Sequence, residues 1–77
     1  MNTKDLHDIH RRYQNAIYEA FAATKSATDT MRAYQAGGWM RLAEEGLLEG
    51  NKEAFWTRMG YARKRLLEMG IDLPFPE

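Results

Sequence analysis

The sequence has no cysteine and no valine, only two prolines and three isoleucines, and no excess of charge of either sign. Each shortage excludes something. Without cysteine there is no disulfide, no thiolate nucleophile and no zinc site built on Cys ligands. A reducing compartment, the cytoplasm by default, is the expected location. Few Val and Ile residues leave little of what strands prefer. Eleven cations balance eleven acids, so no overall field draws the chain to nucleic acid or to an anionic membrane. No run approaches the ~18 apolar residues that suggest a membrane-spanning helix. The opening "MNTKDLHDIH" is polar from the start and lacks the apolar stretch of a signal peptide. Neither a membrane partner nor a cofactor is expected.

What is present favours helix. Ten alanines, with many Leu, Met, Glu, Lys and Arg, are strong helix formers, and they predict an all-α fold. Seventy-seven residues suit one small helical domain, residues 1–77. At that size a core rarely supplies more than ~3–5 kcal/mol, and a partner chain is a common supplement. Nine aromatics can provide much of the buried area, at about 150–250 Å² each when packed.

Three helical segments can be delimited. The first opens at Asn2 or Thr3 as N-cap, and its apolar stripe runs Leu6, Ile9, Tyr13, Ala16, Ile17, Ala20 and Phe21. Steps of three and four keep these on one helix face. The phase continues through Thr24, Ala27, Met31 and Tyr34, which predicts one long helix over about 3–36, ended by Gly37 and Gly38. A bend near 25–29 is the alternative, because "TKSATDT" is rich in turn formers and Ser26 with Asp29 resembles a capping box. The second segment, about 39–49, places Trp39, Leu42, Ala43, Gly46 and Leu47 on one face, with Gly46 a point of close approach for a neighbouring helix. Gly50 and Asn51 then stop one helix and cap the next. The third, about 52–69, carries Phe55, Met59, Ala62, Leu66 and Met69 at regular 4-3-4-3 spacing. The short link makes the last two segments an antiparallel hairpin. Gly70 suits the C′ position, with Ile71 touching Leu66. Pro74 and Pro76 hold the tail, 70–77, extended. Ile71, Leu73 and Phe75 alternate along it, as a cover for the hairpin or as an arm that docks into a partner.

Residues 56–67, "WTRMGYARKRLL", combine aromatics and cations as nucleic-acid-binding helices do. Winding the helix at about 100° per residue with Phe55 at zero separates the cations. Arg58 and Arg65 fall near 280–300°, Arg63 near 80° and Lys64 near 180°. A phosphate-binding helix should gather its cations on one solvent face; here they are dispersed, flanking the stripe and behind it. Lys64 and Glu68 stand at i,i+4 spacing as a candidate ion pair. The acidic run Glu44, Glu45, Glu49 and Glu53 is a candidate complement for the cations. The same winding puts Trp56, Gly60, Arg63 and Leu67 in a second strip at roughly 80–140°. Trp and Arg are enriched at interface hot spots. These four, with Phe75 of the tail, are the candidate partner-binding residues.

Enzyme chemistry finds no support. His7 and His10 are the only histidines, too few for a zinc site without further ligands. The "AGG" at 36–38 lacks the Lys-Ser/Thr of a phosphate loop. Glu44, Glu45 and Glu49 share an exposed face without a pocket to separate their pKa values. The expectation is a non-enzymatic protein that binds another protein and modulates or inhibits it, in the manner of small accessory proteins of phages and mobile elements. A regulator that binds nucleic acid through Arg58, Arg63, Lys64 and Arg65 is the second reading. A helix of some 30 residues spans about 45 Å, more than the hairpin can cover. The chain is therefore expected to form a homodimer through Phe21, Ala27, Met31 and Tyr34.

Overall fold

A computed structural model describes residues 3–75. The cap assigned to Asn2 and the restraint assigned to Pro76 lie outside the described residues. The chain forms three α-helices: α1 (Thr3–Ala23), α2 (Ala27–Leu48) and α3 (Lys52–Glu68). The fold is all-α, with α2 and α3 packed as a hairpin and α1 packed against α2.

Two boundaries differ from the expected long first helix. The first lies at 24–26, where the turn formers prevail over the continuing apolar phase. Ser26 has extended backbone and caps α2, its hydroxyl accepting from the Asp29 amide at 3.4 Å. Thr30 Oγ1 donates back to the Ser26 carbonyl at 2.9 Å. The first bond satisfies an amide that would otherwise lack a partner at a helix start; the second adds a donor to a carbonyl that already accepts from the Thr30 amide. The interruption is a reversal rather than a bend: His10 of α1 meets Met40 in the second half of α2, so the two helices run antiparallel. The apolar stripe of α1 is thereby buried on α2 instead of running on into it.

The second difference is at Gly37 and Gly38, which lie inside α2. Among the described residues only Gly50 and Gly70 have positive φ, 75° and 82°. Two interior glycines cost helix stability, about 1 kcal/mol each relative to alanine. Packing outweighs that cost: Ala33, Ala36, Met40, Ala43 and Leu47 are buried and recur at 3-4-3-4 spacing straight across the glycines. A glycine ends a helix when the next residues turn away, and here they continue into the core.

The other boundaries follow the sequence. At the end of α2 the Asn51 amide donates to Gly46 O at 2.8 Å and the Gly50 amide to Leu47 O at 3.1 Å. This is the Schellman pairing that a left-handed glycine permits. Asn51 caps α3 by accepting from the Ala54 amide at 3.0 Å. The same pairing recurs where Ile71 N–H donates to Leu66 O and Gly70 N–H to Leu67 O, both at 2.9 Å. Gly46 is a contact point, as expected. A Cβ there would stand 3.1 Å from the Phe55 amide nitrogen, so only glycine lets the start of α3 approach α2 this closely.

The core joins Leu6, Ile9, Tyr13 and Ile17 of α1 to Ala36, Met40, Ala43 and Leu47 of α2 and to Phe55, Met59, Ala62 and Leu66 of α3. Ile71, Leu73 and Phe75 pack against it from the tail. Helix α2 touches both other helices, and the tail bridges α1 and α3 on the opposite side.

Candidate functional site

Two apolar faces lie outside the core, and the chain treats them differently. The first is the strip on α3. Phe75 stands edge-on to Trp56 with ring centroids 5.2 Å apart and packs on Tyr13 at 5.3 Å. The Arg63 guanidinium lies over the Phe75 ring, 5.5 Å from its centroid, and reaches Asp72 at 3.4 Å. Tyr13 OH donates to the Leu73 carbonyl. Burial is the main reason the Tyr13 phenol is pushed up from 10.0 to about 12, since ionising it would place an anion in an apolar setting, a cost that the nearby Arg63 cation offsets only in part. Arg63 Nε is buried with no hydrogen-bond partner among the described residues, as a guanidinium pressed against a ring would be. Of the five candidate partner-binding residues, Trp56, Arg63 and Phe75 are thus engaged with one another. Gly60 faces open space, where an added Cβ would meet nothing within 4 Å, and Leu67 is exposed. Nothing in the sequence singles out Tyr13 as the residue that holds the tail. Its place in the α1 stripe marks it only as core, and no local pattern signals a contact sixty residues away.

The arginines of α3 are likewise drawn into the fold. Arg58 donates to the Leu42 carbonyl at 2.8 Å, tying α3 to α2. Arg65 pairs with Glu68, and Glu68 also meets Arg32 of α2 at 3.4 Å. Glu68 is therefore bonded to Arg65 and Arg32 rather than to the expected Lys64, which is exposed. No ion pair found among the described residues joins the acidic run at 44–53 to the cations at 58–65. His10 is buried. Its Nε2 lies 2.8 Å from the Met40 carbonyl, which can only accept, so this nitrogen carries the proton and pins α1 to α2. Among the described residues no three His, Cys, Asp or Glu side chains converge to hold a metal. None of their helices is long and apolar enough to cross a membrane.

The second face lies where α1 and α2 meet on the outside. Phe21, Ala27, Thr30, Met31 and Tyr34 line a shallow groove of about 350 Å³. A second groove of about 370 Å³ continues it between Tyr18, Phe21, Tyr34, Gly37, Gly38 and Arg41. All four residues expected at a dimer interface line the first groove, although the single long helix that suggested them does not form. Tyr18, Phe21, Met31 and Tyr34 are exposed, and no segment of the described chain covers them. Nothing in either groove combines a nucleophile with a base. Comparison with protein-family models, with characterised proteins and with solved structures found no match to the chain.

Proposed function

We propose that this protein is a non-enzymatic binding module that acts by occupying a surface of another protein, and that it binds through the outer α1–α2 face. One observation carries the reading: four large apolar side chains stand together on that face without cover. Contiguous exposed apolar surface of this kind marks interaction sites in water-exposed proteins. Aromatic and Met side chains are also enriched in the buried centres of such interfaces. Inhibition or modulation then needs no chemistry from this chain, only steric occupation of a partner.

The α3 cations weigh against nucleic acid as the ligand. Arg58, Arg63 and Arg65 are each bonded within the fold, and a phosphate would have to displace those contacts. The test has two arms. The immobilised chain is used to capture proteins from its host lysate, in parallel with a Met31→Glu, Tyr34→Glu double variant. Retention of a specific protein by the first and its loss by the second supports the reading, provided circular dichroism shows equal helicity. Titration with random duplex and single-stranded DNA and RNA at two salt concentrations is the second arm. Micromolar binding with a steep salt dependence would overturn the protein-binding reading in favour of nucleic acid.

A further inference from the structure

The outer surface of α2 has an order that its role in the core does not require. Ala27, Met31, Tyr34, Gly38, Arg41, Glu45 and Leu48 follow one another at 4-3-4-3-4-3 spacing, and all seven are exposed. At about 100° per residue they lie opposite the buried Ala33, Ala36, Met40, Ala43 and Leu47. A helix–helix seam needs apolar residues at such steps, and Ala27, Met31, Tyr34 and Leu48 supply them on this face. The two glycines need an explanation as well. Neither has the positive φ that demands glycine. A Cβ at Gly37 or Gly38 would meet nothing within 4 Å, unlike one at Gly46. The fold of one chain would therefore be served better by alanine at both positions. A bare backbone there suits another helix crossing close by.

We infer that this face takes a second copy of the same chain, with the two α2 helices antiparallel and crossing at Gly37–Gly38. The inference rests on reading the outer α1–α2 face as a protein-binding surface and names a second copy as its occupant in the free protein, one that a foreign partner would displace. With the two-fold axis between the glycines, Tyr34 of each copy faces Arg41 of the other, a cation–π pairing made twice. Ala27 faces Leu48, small against large, at both ends. A parallel pair would instead set Arg41 against Arg41, Glu45 against Glu45 and Glu49 against Glu49. Like charges so placed are repulsive, and polar residues within a seam fix its register and orientation.

The exposed aromatic area alone approaches what a specific interface needs. Tyr18, Phe21 and Tyr34 are 64%, 49% and 76% exposed. At about 200 Å² per aromatic side chain, that leaves roughly 400 Å² available on each copy. Two copies contribute about 800 Å² before Met31, Leu48 and the glycine backbone are counted, within reach of the ~1,200 Å² at which specific interfaces begin.

Sedimentation or light scattering at tens of micromolar should give twice the chain mass of 9.0 kDa. The Met31→Glu, Tyr34→Glu variant should return to 9.0 kDa with helicity unchanged. Because the chain has no cysteine, single substitutions report geometry directly under a mild redox buffer. Gly38→Cys should cross-link to itself. Ala27→Cys should not, but should cross-link to Leu48→Cys when the two are mixed. A mass of 9.0 kDa for the unaltered chain at every concentration overturns the inference, as does Ala27→Cys bonding to itself as readily as to Leu48→Cys. If the unaltered chain is monomeric while the double variant still loses a captured host protein, self-pairing falls and the binding reading stands. A doubled mass with host capture unaffected by the double variant supports self-pairing and removes this face as the site for a foreign partner.

Discussion

The α3 strip and the outer α1–α2 face are built from similar residues, yet the tail covers Trp56 and Arg63 of the first while the second is bare. Trp56 and Arg63 on α3 meet a tail that returns over them, with Phe75 seated between Trp56 and Tyr13. Tyr18, Phe21, Met31 and Tyr34 stay exposed. The difference lies in what the chain has left over after making its core. Past Gly70 it has a short apolar segment, and the left-handed glycine aims that segment back across α1 and α3. The reversal at 24–26 places only three residues between helices, which leaves no segment to cover its own outer side. An aromatic strip is thus core or interface according to the topology around it, and its composition alone does not say which.

Disturbing the covered side should give the largest effect. Phe75→Ala removes a partly buried ring and should lower stability by about 2 kcal/mol, roughly half the ~3–5 of a fully buried Phe. Trp56 should become more exposed in the same variant, seen as a red shift of tryptophan fluorescence. A stability unchanged in urea denaturation would mean that the tail does not cover the strip.

The glycines allow a sharper comparison, because the same substitution should change sign with position. Gly46→Ala gains helix propensity but presses a methyl against the Phe55 backbone, for a net loss of about 1 kcal/mol. Gly38→Ala meets open space within the chain and should gain up to about 1 kcal/mol, measured dilute enough to exclude association. Equal effects at both positions would contradict the close approach seen only at Gly46.

Tyr13 tests how the tail is held. Tyr13→Phe leaves the Leu73 carbonyl without its donor and should cost about 1 kcal/mol at neutral pH. In the unaltered protein the unfolded chain releases the phenol proton near 10.0 while the folded one keeps it until about 12. Between those values the unfolded state binds fewer protons, so stability falls as pH rises. The contribution is complete below pH 10 and is lost through pH 12. Denaturation midpoints of the two proteins across that range should converge, since the Phe variant has no phenol to titrate. Tyr34→Ala on the bare face should have the smallest effect, within about 0.5 kcal/mol under dilute conditions.

Several elements are legible because their signals are local. Gly50–Asn51 and Gly70–Ile71 carry the chemistry of a helix end within a few residues, and both ends form as expected. The 4-3-4-3 spacing of α3 identifies Phe55, Met59, Ala62 and Leu66, all buried. The break at 24–26 is the weaker reading of the sequence, because the apolar phase from Leu6 to Tyr34 happens not to slip. That continuity joins two different surfaces: Leu6 to Ile17 belong to the core, while Met31 and Tyr34 face outward. The true core face of α2 is mostly alanine, and small residues give a weak apolar signal beside Met31, Tyr34, Trp39 and Leu42. The grouping of Phe21, Ala27, Met31 and Tyr34 holds nonetheless, since both ends of a tight reversal stay near each other.

The sequence by itself determined that this chain is helical, where α3 starts and stops, that Phe55, Met59, Ala62 and Leu66 are buried, and that Gly50 and Gly70 end their helices. Propensity, capping and periodicity act over a few residues, so a linear reading can recover them. Only the tertiary structure decided that Gly37 and Gly38 remain in a helix, that His10 is bonded inside, and that Phe75 covers Trp56 while Tyr34 stays bare. Those outcomes depend on burial against distant segments, and the free energy of such contacts is carried by neighbours that the local pattern does not name.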